Sequence, residues 1–270
     1  MKNSNKIILA MITAVSIVFS ACTEKIDLNL QSSKPTLVIE ANISNEAGPY
    51  FVRVSKSQPY YQTNNFEKIN PDYIIISDDI GHADTLSKVA DGLFQTNTIQ
   101  GMENNTYHLK LKVEGVEYQS HCYMAAAVAL DSVASVVNPF GFGPSSNPNE
   151  RLIVSYFMDP ASTSNFYVLK TSNNGRMSDK VRAVTDRLKN GKLFETTLRG
   201  VDAKVGDTVE VQLQSVSSQI YTYYDELEKI ASNNTFAASV APANPTTNIA
   251  PTTLGYFSAH AISRKKIVVY

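Results

Sequence analysis

Apolar and polar residues alternate with a period of two along most of this chain, the spacing of half-buried β-strands. Tyr107, Leu109, Leu111 and Val113 alternate with His108, Lys110 and Lys112, and Glu114-Gly115 turns that run back into Val116 to Met124. Thr36 to Ile43 is a β-branched run, and Tyr50, Val52 and Val54 alternate with Phe51, Arg53 and Ser55. Tyr73 to Ser77 leads through Asp78-Asp79-Ile80-Gly81 into Ala83 to Ser87, a hairpin whose turn needs the positive φ that glycine tolerates. Asp91-Gly92 turns into Leu93 to Asn97. Short strands in quick succession without a helix predict an antiparallel sandwich over residues 35–127, closed at Ala125-Ala126-Ala127.

Further strands follow at Leu130 to Val137, Arg151 to Met158, Phe166 to Thr171, Phe194 to Leu198 and Thr208 to Val216. The period then changes once. From Ser217 to Ser232, Ile220, Tyr223, Tyr224, Leu227 and Ile230 recur at helical spacing, with Ser217 as cap and Asn233-Asn234 as stop. Pro242 to Pro251 carries three prolines and reads as extended. Gly255 to Ile262 and Ile267 to Tyr270 read as two closing strands. The expected fold is mainly β: two β-sandwich-like domains, 35–127 and 128–270, the second carrying one amphipathic helix near 217–232.

The N-terminus follows different rules. Lys2 and Lys6 precede an uncharged, mostly apolar run from Ile7 to Phe19, too short to span a bilayer, and Ser20-Ala21 stand before Cys22. Residues 1–21 read as a signal peptide, with Phe19-Ser20-Ala21-Cys22 resembling a lipobox whose usual leucine is Phe19. Cys22 is the expected lipidation site, and residues 22–34 the tether between bilayer and folded body. Two of the 24 basic residues lie in the leader, so 22 remain against 25 acids, a net charge near −3. That balance gives no basic face for a nucleic acid. Cys122, left without a partner, alternates in a strand pattern and reads as a buried structural thiol rather than a nucleophile.

Candidate chemistry is sparse. The sequence holds no nucleophile elbow, phosphate loop or H-E-x-x-H helix, so no catalytic residue, metal or cofactor is expected. His108 and His121 face each other across a hairpin without a third ligand in the sequence nearby. Asp78, Asp79 and Asp84 surround a tight turn, yet lack EF-hand spacing. Tyr60-Tyr61 and Phe140 with Phe142 lie in polar loops rich in Asn, Gly and Pro. There, aromatics serve as anchors for a ligand or partner, or fold back over a sandwich end.

Several motifs occur together in a recognisable order. They begin with Cys22-Thr23-Glu24-Lys25-Ile26-Asp27-Leu28, then Leu37-Val38-Ile39-Glu40 with Ile43-Ser44-Asn45, then Gly48-Pro49-Tyr50. Ile76-Ser77-Asp78-Asp79-Ile80-Gly81, Gly92-Leu93-Phe94 and Gly206-Asp207-Thr208-Val209 follow. Pro242-Ala243-Asn244-Pro245 with Asn248-Ile249, and Leu254-Gly255-Tyr256-Phe257-Ser258-Ala259, complete the set. Their sequence resembles a Bacteroidota lipoprotein family catalogued as domain of unknown function family 4249, over essentially the whole of the chain after residue 21. The resemblance implies an outer-membrane lipoprotein commonly encoded beside a TonB-dependent receptor; Glu24 and Asp27 resemble an acidic surface-export signal, so the cell surface is expected ahead of the periplasmic face. It also implies a first domain like carboxypeptidase-regulatory or transthyretin-like sandwiches, and it brings no catalytic residues. The expected function is a non-catalytic accessory or ligand-binding subunit for nutrient uptake. The alternatives are an adhesive protein that binds a host or matrix polymer, and a hydrolase of undescribed type. Asp84-Thr85-Leu86, Asp131-Ser132-Val133 and Asp207-Thr208-Val209 resemble the glycosylation acceptor of that bacterial group.

Overall fold

The alternating runs become strands that stack into two sandwiches, and one long strand belongs to both. A computed structural model describes residues 35–58, 66–137, 150–233 and 244–270. Residues 35–270 cluster as one compact unit. The first half supplies β1 (Leu37–Ser44), β2 (Phe51–Lys56), β3 (Tyr73–Asp78), β4 (Ala83–Thr85), β5 (Ser87–Ala90), β6 (Leu93–Gln95), β7 (Asn105–Val113) and β8 (Val116–Met124). The second supplies β9 (Ser132–Val137), β10 (Glu150–Met158), β11 (Phe166–Asn173), β12 (Arg176–Thr185), β13 (Leu193–Lys204), β14 (Thr208–Ser215), helix α1 (Ser218–Asn233) and β15 (Leu254–Val268).

In the first sandwich the sheet β4-β3-β7-β8 packs on β1, β2, β6 and the beginning of β15, with β5 as the exposed edge beyond β6. Val52, Val54, Tyr107, Leu109, Leu111 and Cys122, from the alternating runs, are buried in its core together with Ile39, Ala41, Ile43, Ile74, Ile76 and Met124. The turn after β3 has Gly81 at φ +101°, the positive angle its position predicts. In the second sandwich β9, β10 and β13 pack on β11, β14 and the end of β15. Phe157 stacks on Phe194 at 4.9 Å and meets Tyr167 edge-on at 4.9 Å, contacts that contribute about 0.5–1.5 kcal/mol per pair beyond area burial.

The opposite face of β11 and β12 is covered by α1. Tyr167, Val168 and Leu169 are therefore consecutive and all buried, with Tyr167 and Leu169 in one core and Val168 in the other. The helix behaves as its spacing demands. The Ser217 hydroxyl accepts the Ile220 N–H, and Ile220, Tyr224 and Leu227 pack inward.

Two features depart from the sequence reading. The closing segment is one continuous strand, not two. Leu254 to His260 pairs in parallel with β1, and Ala261 to Val268 pairs antiparallel with β14. Ser263 to Lys266 looked like a loop because it is polar, but Arg264 and Lys266 pair with acids on neighbouring elements, which suits them to a strand. The boundary at 127/128 is consequently bridged: the C-terminal strand completes the first sandwich's sheet before it enters the second. The other departure is β12, an edge strand exposed along most of its length, so no alternation announces it.

Candidate functional site

A wide opening among the described residues lies where the two sheets of the second sandwich end side by side. β12 is the last strand of one sheet and β13 the last strand of the other. Both edges are irregular at this point. The register of β12 against β11 slips between the pairs Lys170–Val181 and Ser172–Met177, and that of β13 slips between Leu198 and Ala203. A β-bulge leaves a residue unpaired and bends the strand that carries it. A cavity of about 980 Å3 lies between the edges, at the upper end of the ~300–1,000 Å3 usual for ligand pockets.

Its lining is graded. Leu169, Thr171, Thr196, Leu198 and Val201 are buried, whereas Asp179, Lys180, Arg182 and Glu195 stand exposed at the mouth. Gly200 has φ +72°, and a side chain there would collide with the end of Lys180, so the two bulges touch through this missing Cβ. Glu228 of α1 closes one end. One carboxylate oxygen accepts from Arg182 at 2.6 Å and the other from the Ala183 backbone N–H at 3.0 Å. Among the sequence signals, only the isolated glycine inside a strand pattern points here.

A second cluster is buried where α1 crosses the shared strand. Lys170 donates to the Tyr224 hydroxyl at 2.9 Å, and Tyr224 donates to Tyr256 at 2.9 Å. Burial pulls the Lys170 ammonium down to about 8, with Glu40 opposing. His260 is wholly enclosed and its Nδ1 lies 2.9 Å from the Ser258 hydroxyl. Burial first, then the charges of Lys170 and Arg264, push its pKa down to about 3. These groups join α1, β11 and β15, and their hydrogen bonds are made to one another.

The remaining candidate groups are separated. Asp84 is buried with its carboxylate accepting the backbone N–H groups of Asn97, Thr98 and Ile99 at 2.6–3.0 Å, which outweigh burial and lower its pKa. Asp78 accepts from its own turn and from His82, while Asp79 pairs with His108. Among the described residues, no three His, Cys, Asp or Glu side chains converge to hold a metal. His108 and His121 are direct cross-strand partners with ring centroids 6.4 Å apart. Cys122 is buried, and desolvation raises its thiol pKa. Thr85, Ser132 and Thr208 of the acceptor-like triplets are exposed. Cys22, Tyr60, Tyr61, Phe140 and Phe142 lie outside the described residues.

The model of the family "Domain of unknown function (DUF4249)" matches residues 23–266. The chain belongs to the DUF4249 family. Compared with curated proteins, this DUF4249 chain finds no match. Among solved structures it is similar to a cytokine receptor complex at 9% identity, covering 85% of this chain and 94% of that one, with a TM-score of 0.27. A two-domain fibronectin type III segment of chicken tenascin shares 11% identity over 68% of this chain and 93% of its own, with a TM-score of 0.22. Type I pullulanase from Bacillus subtilis, complexed with maltose, shares 12% over 67% of this chain and 23% of its own, at 0.20.

Proposed function

We propose that this DUF4249 protein is a non-catalytic binding lipoprotein of the outer-membrane surface, an accessory subunit of a TonB-dependent uptake receptor. The observation that carries the reading is the cleft between β12 and β13, roomy, charged at its mouth and lined within by Leu169, Leu198 and Val201 together with Thr171 and Thr196. The chemistry-bearing groups support it from the other side. The Cys122 thiol and His260 imidazole are enclosed, and Asp78, Asp79 and Asp84 are engaged by protein donors.

The anchor in this reading is Cys22, whose thiol follows an apolar run and two small residues. Residues 22–34 give a reach of roughly 40 Å if extended at about 3.3 Å per residue, enough to hold the body against a membrane-embedded partner. The receptor is the partner in native membranes, and Tyr60, Tyr61, Phe140 and Phe142 contribute to the surface that binds it. The experiment is affinity purification of the full-length protein from native membranes, with Cys22→Ala in parallel. Wild type should label with a fatty-acid analogue and bring a TonB-dependent receptor with it, and the variant should do neither. A variant that still labels and stays in membranes removes the anchor assignment.

A further inference from the structure

The walls of the cleft are strand edges, and a strand edge is recognised by another extended backbone. β12 pairs with β11 on one side alone. The Ala183 N–H, opposite Val168, points away from β11 and reaches Glu228. Two residues earlier in the same regular register, Val181 stands opposite Lys170, so its N–H and C=O also point away from β11. Val181 lines the cleft, and beyond it the bulge turns Asp179 and Lys180 to the mouth. The other wall is β13, likewise the last strand of its sheet.

From this geometry we infer that the cleft is a strand-addition site: it takes an extended, basic peptide segment of a partner protein, laid between β12 and β13. The inference rests on the binding-protein reading above and names its ligand class. Shape and charge select the occupant. None of the described residues that line the cleft is aromatic. The alternating side chains of a strand would meet Leu169, Leu198 and Val201 on one side and the charged mouth on the other. Among the described side chains of the walls, Arg182 pairs with Glu228, and Asp179 and Glu195, one on each wall, stand with Lys180. Those two acids fit a lysine or arginine on the incoming strand. At the end of the cleft where the walls meet, the bare Gly200 leaves room for Lys180.

The test uses the full chain and a phage-displayed library of random heptapeptides, counter-selected on Val181→Pro. Proline at 181 deletes the cleft-facing N–H and leaves the ladder to β11 intact. Enriched peptides should lack proline, favour β-branched residues at alternate positions and carry at least one Lys or Arg. Their affinity, read by fluorescence anisotropy, should fall by about tenfold or more for Val181→Pro and for peptides N-methylated at alternate amides. Glu195→Lys, at an exposed position, should keep the wild-type melting temperature and weaken the same peptides, which guards against a misfolded Val181→Pro. Hydrogen exchange at the Val181 amide should slow on binding.

No enrichment over the counter-selection, a proline-rich consensus, or undiminished binding of N-methylated peptides overturns the inference. A concentration-dependent dimer that Val181→Pro dissolves gives the edges to a second copy and overturns it too. Receptor copurification is scored separately. If the receptor still copurifies but no peptide binds, strand addition fails and the accessory role stands. If peptides bind and no receptor copurifies, the accessory role fails instead.

Discussion

Lowering the pH from about 7.5 to about 4.5 should destabilise the protein through His260, because the imidazole is held neutral inside it. The ring is 4% exposed, enclosed beneath α1 and bonded to Ser258. The charged and polar groups around it are Lys170 from β11, Arg264 further along β15, and Ser258, so a proton arriving there meets two cations and no carboxylate contact. Its folded pKa, about 3, lies below the unfolded value of 6.5. The stabilisation is therefore complete above pH 6.5 and is lost as the pH falls toward 3. At pH 4.5 the ring sits about two units below its unfolded pKa, and each unit is worth about 1.4 kcal/mol, so the loss approaches about 2.7 kcal/mol. For a domain of this size that lowers the melting temperature by about 5–10 °C. The assay is urea denaturation of wild type and His260→Gln across this range. The variant should be less stable at neutral pH yet lose less on acidification, since glutamine does not titrate. The exposed histidines and the carboxylates are common to both proteins and cancel in the comparison. Identical pH slopes would refute the argument and mean that His260 takes its proton without opening the seam.

Other positions give equally definite outcomes. Gly255→Ala should cost about 2–6 kcal/mol in chemical denaturation, with strain and overpacking each about 1–3 kcal/mol. Its new Cβ would lie 2.0 Å from the Ile39 carbonyl oxygen at φ +90°, and wild-type stability would mean that β1 and β15 are not tightly joined. Asp84→Asn should cost about 1.5–3 kcal/mol at neutral pH. Because its folded pKa is depressed, the gap from wild type should close as the pH drops below about 4, and a pH-independent gap would contradict the carboxylate's role. Paired alanines at Tyr60 and Tyr61, or at Phe140 and Phe142, should keep the melting temperature and lose receptor copurification. Early melting would assign them to packing at the sandwich ends.

What the sequence reveals here follows how local its physics is. β7 and β8 are legible because one face is core and the other solvent, so alternation is clean from Tyr107 to Val113. α1 is legible because its cap and its inward stripe are both local. β12 is not, because an exposed edge strand needs no buried face. The fate of Ser263 to Lys266 depends on Glu46 and Glu210, which are distant in the chain. Lys170 reads as a solvent-facing strand lysine, and only the helix laid over it by tertiary packing turns it into a buried amine. The cleft is the extreme case. It lies between two strands that never pair, and neither of their bulges has a pattern beyond the lone Gly200.

The central claim, a lipid-anchored binding subunit of an uptake receptor, is tested most directly by purifying the intact protein from native membranes after mild cross-linking and identifying its partners by mass spectrometry. The account predicts one dominant partner, a TonB-dependent receptor, retained by wild type and lost from Cys22→Ala. Recovery of the protein without a receptor, or equal recovery of the receptor with Cys22→Ala, would contradict it.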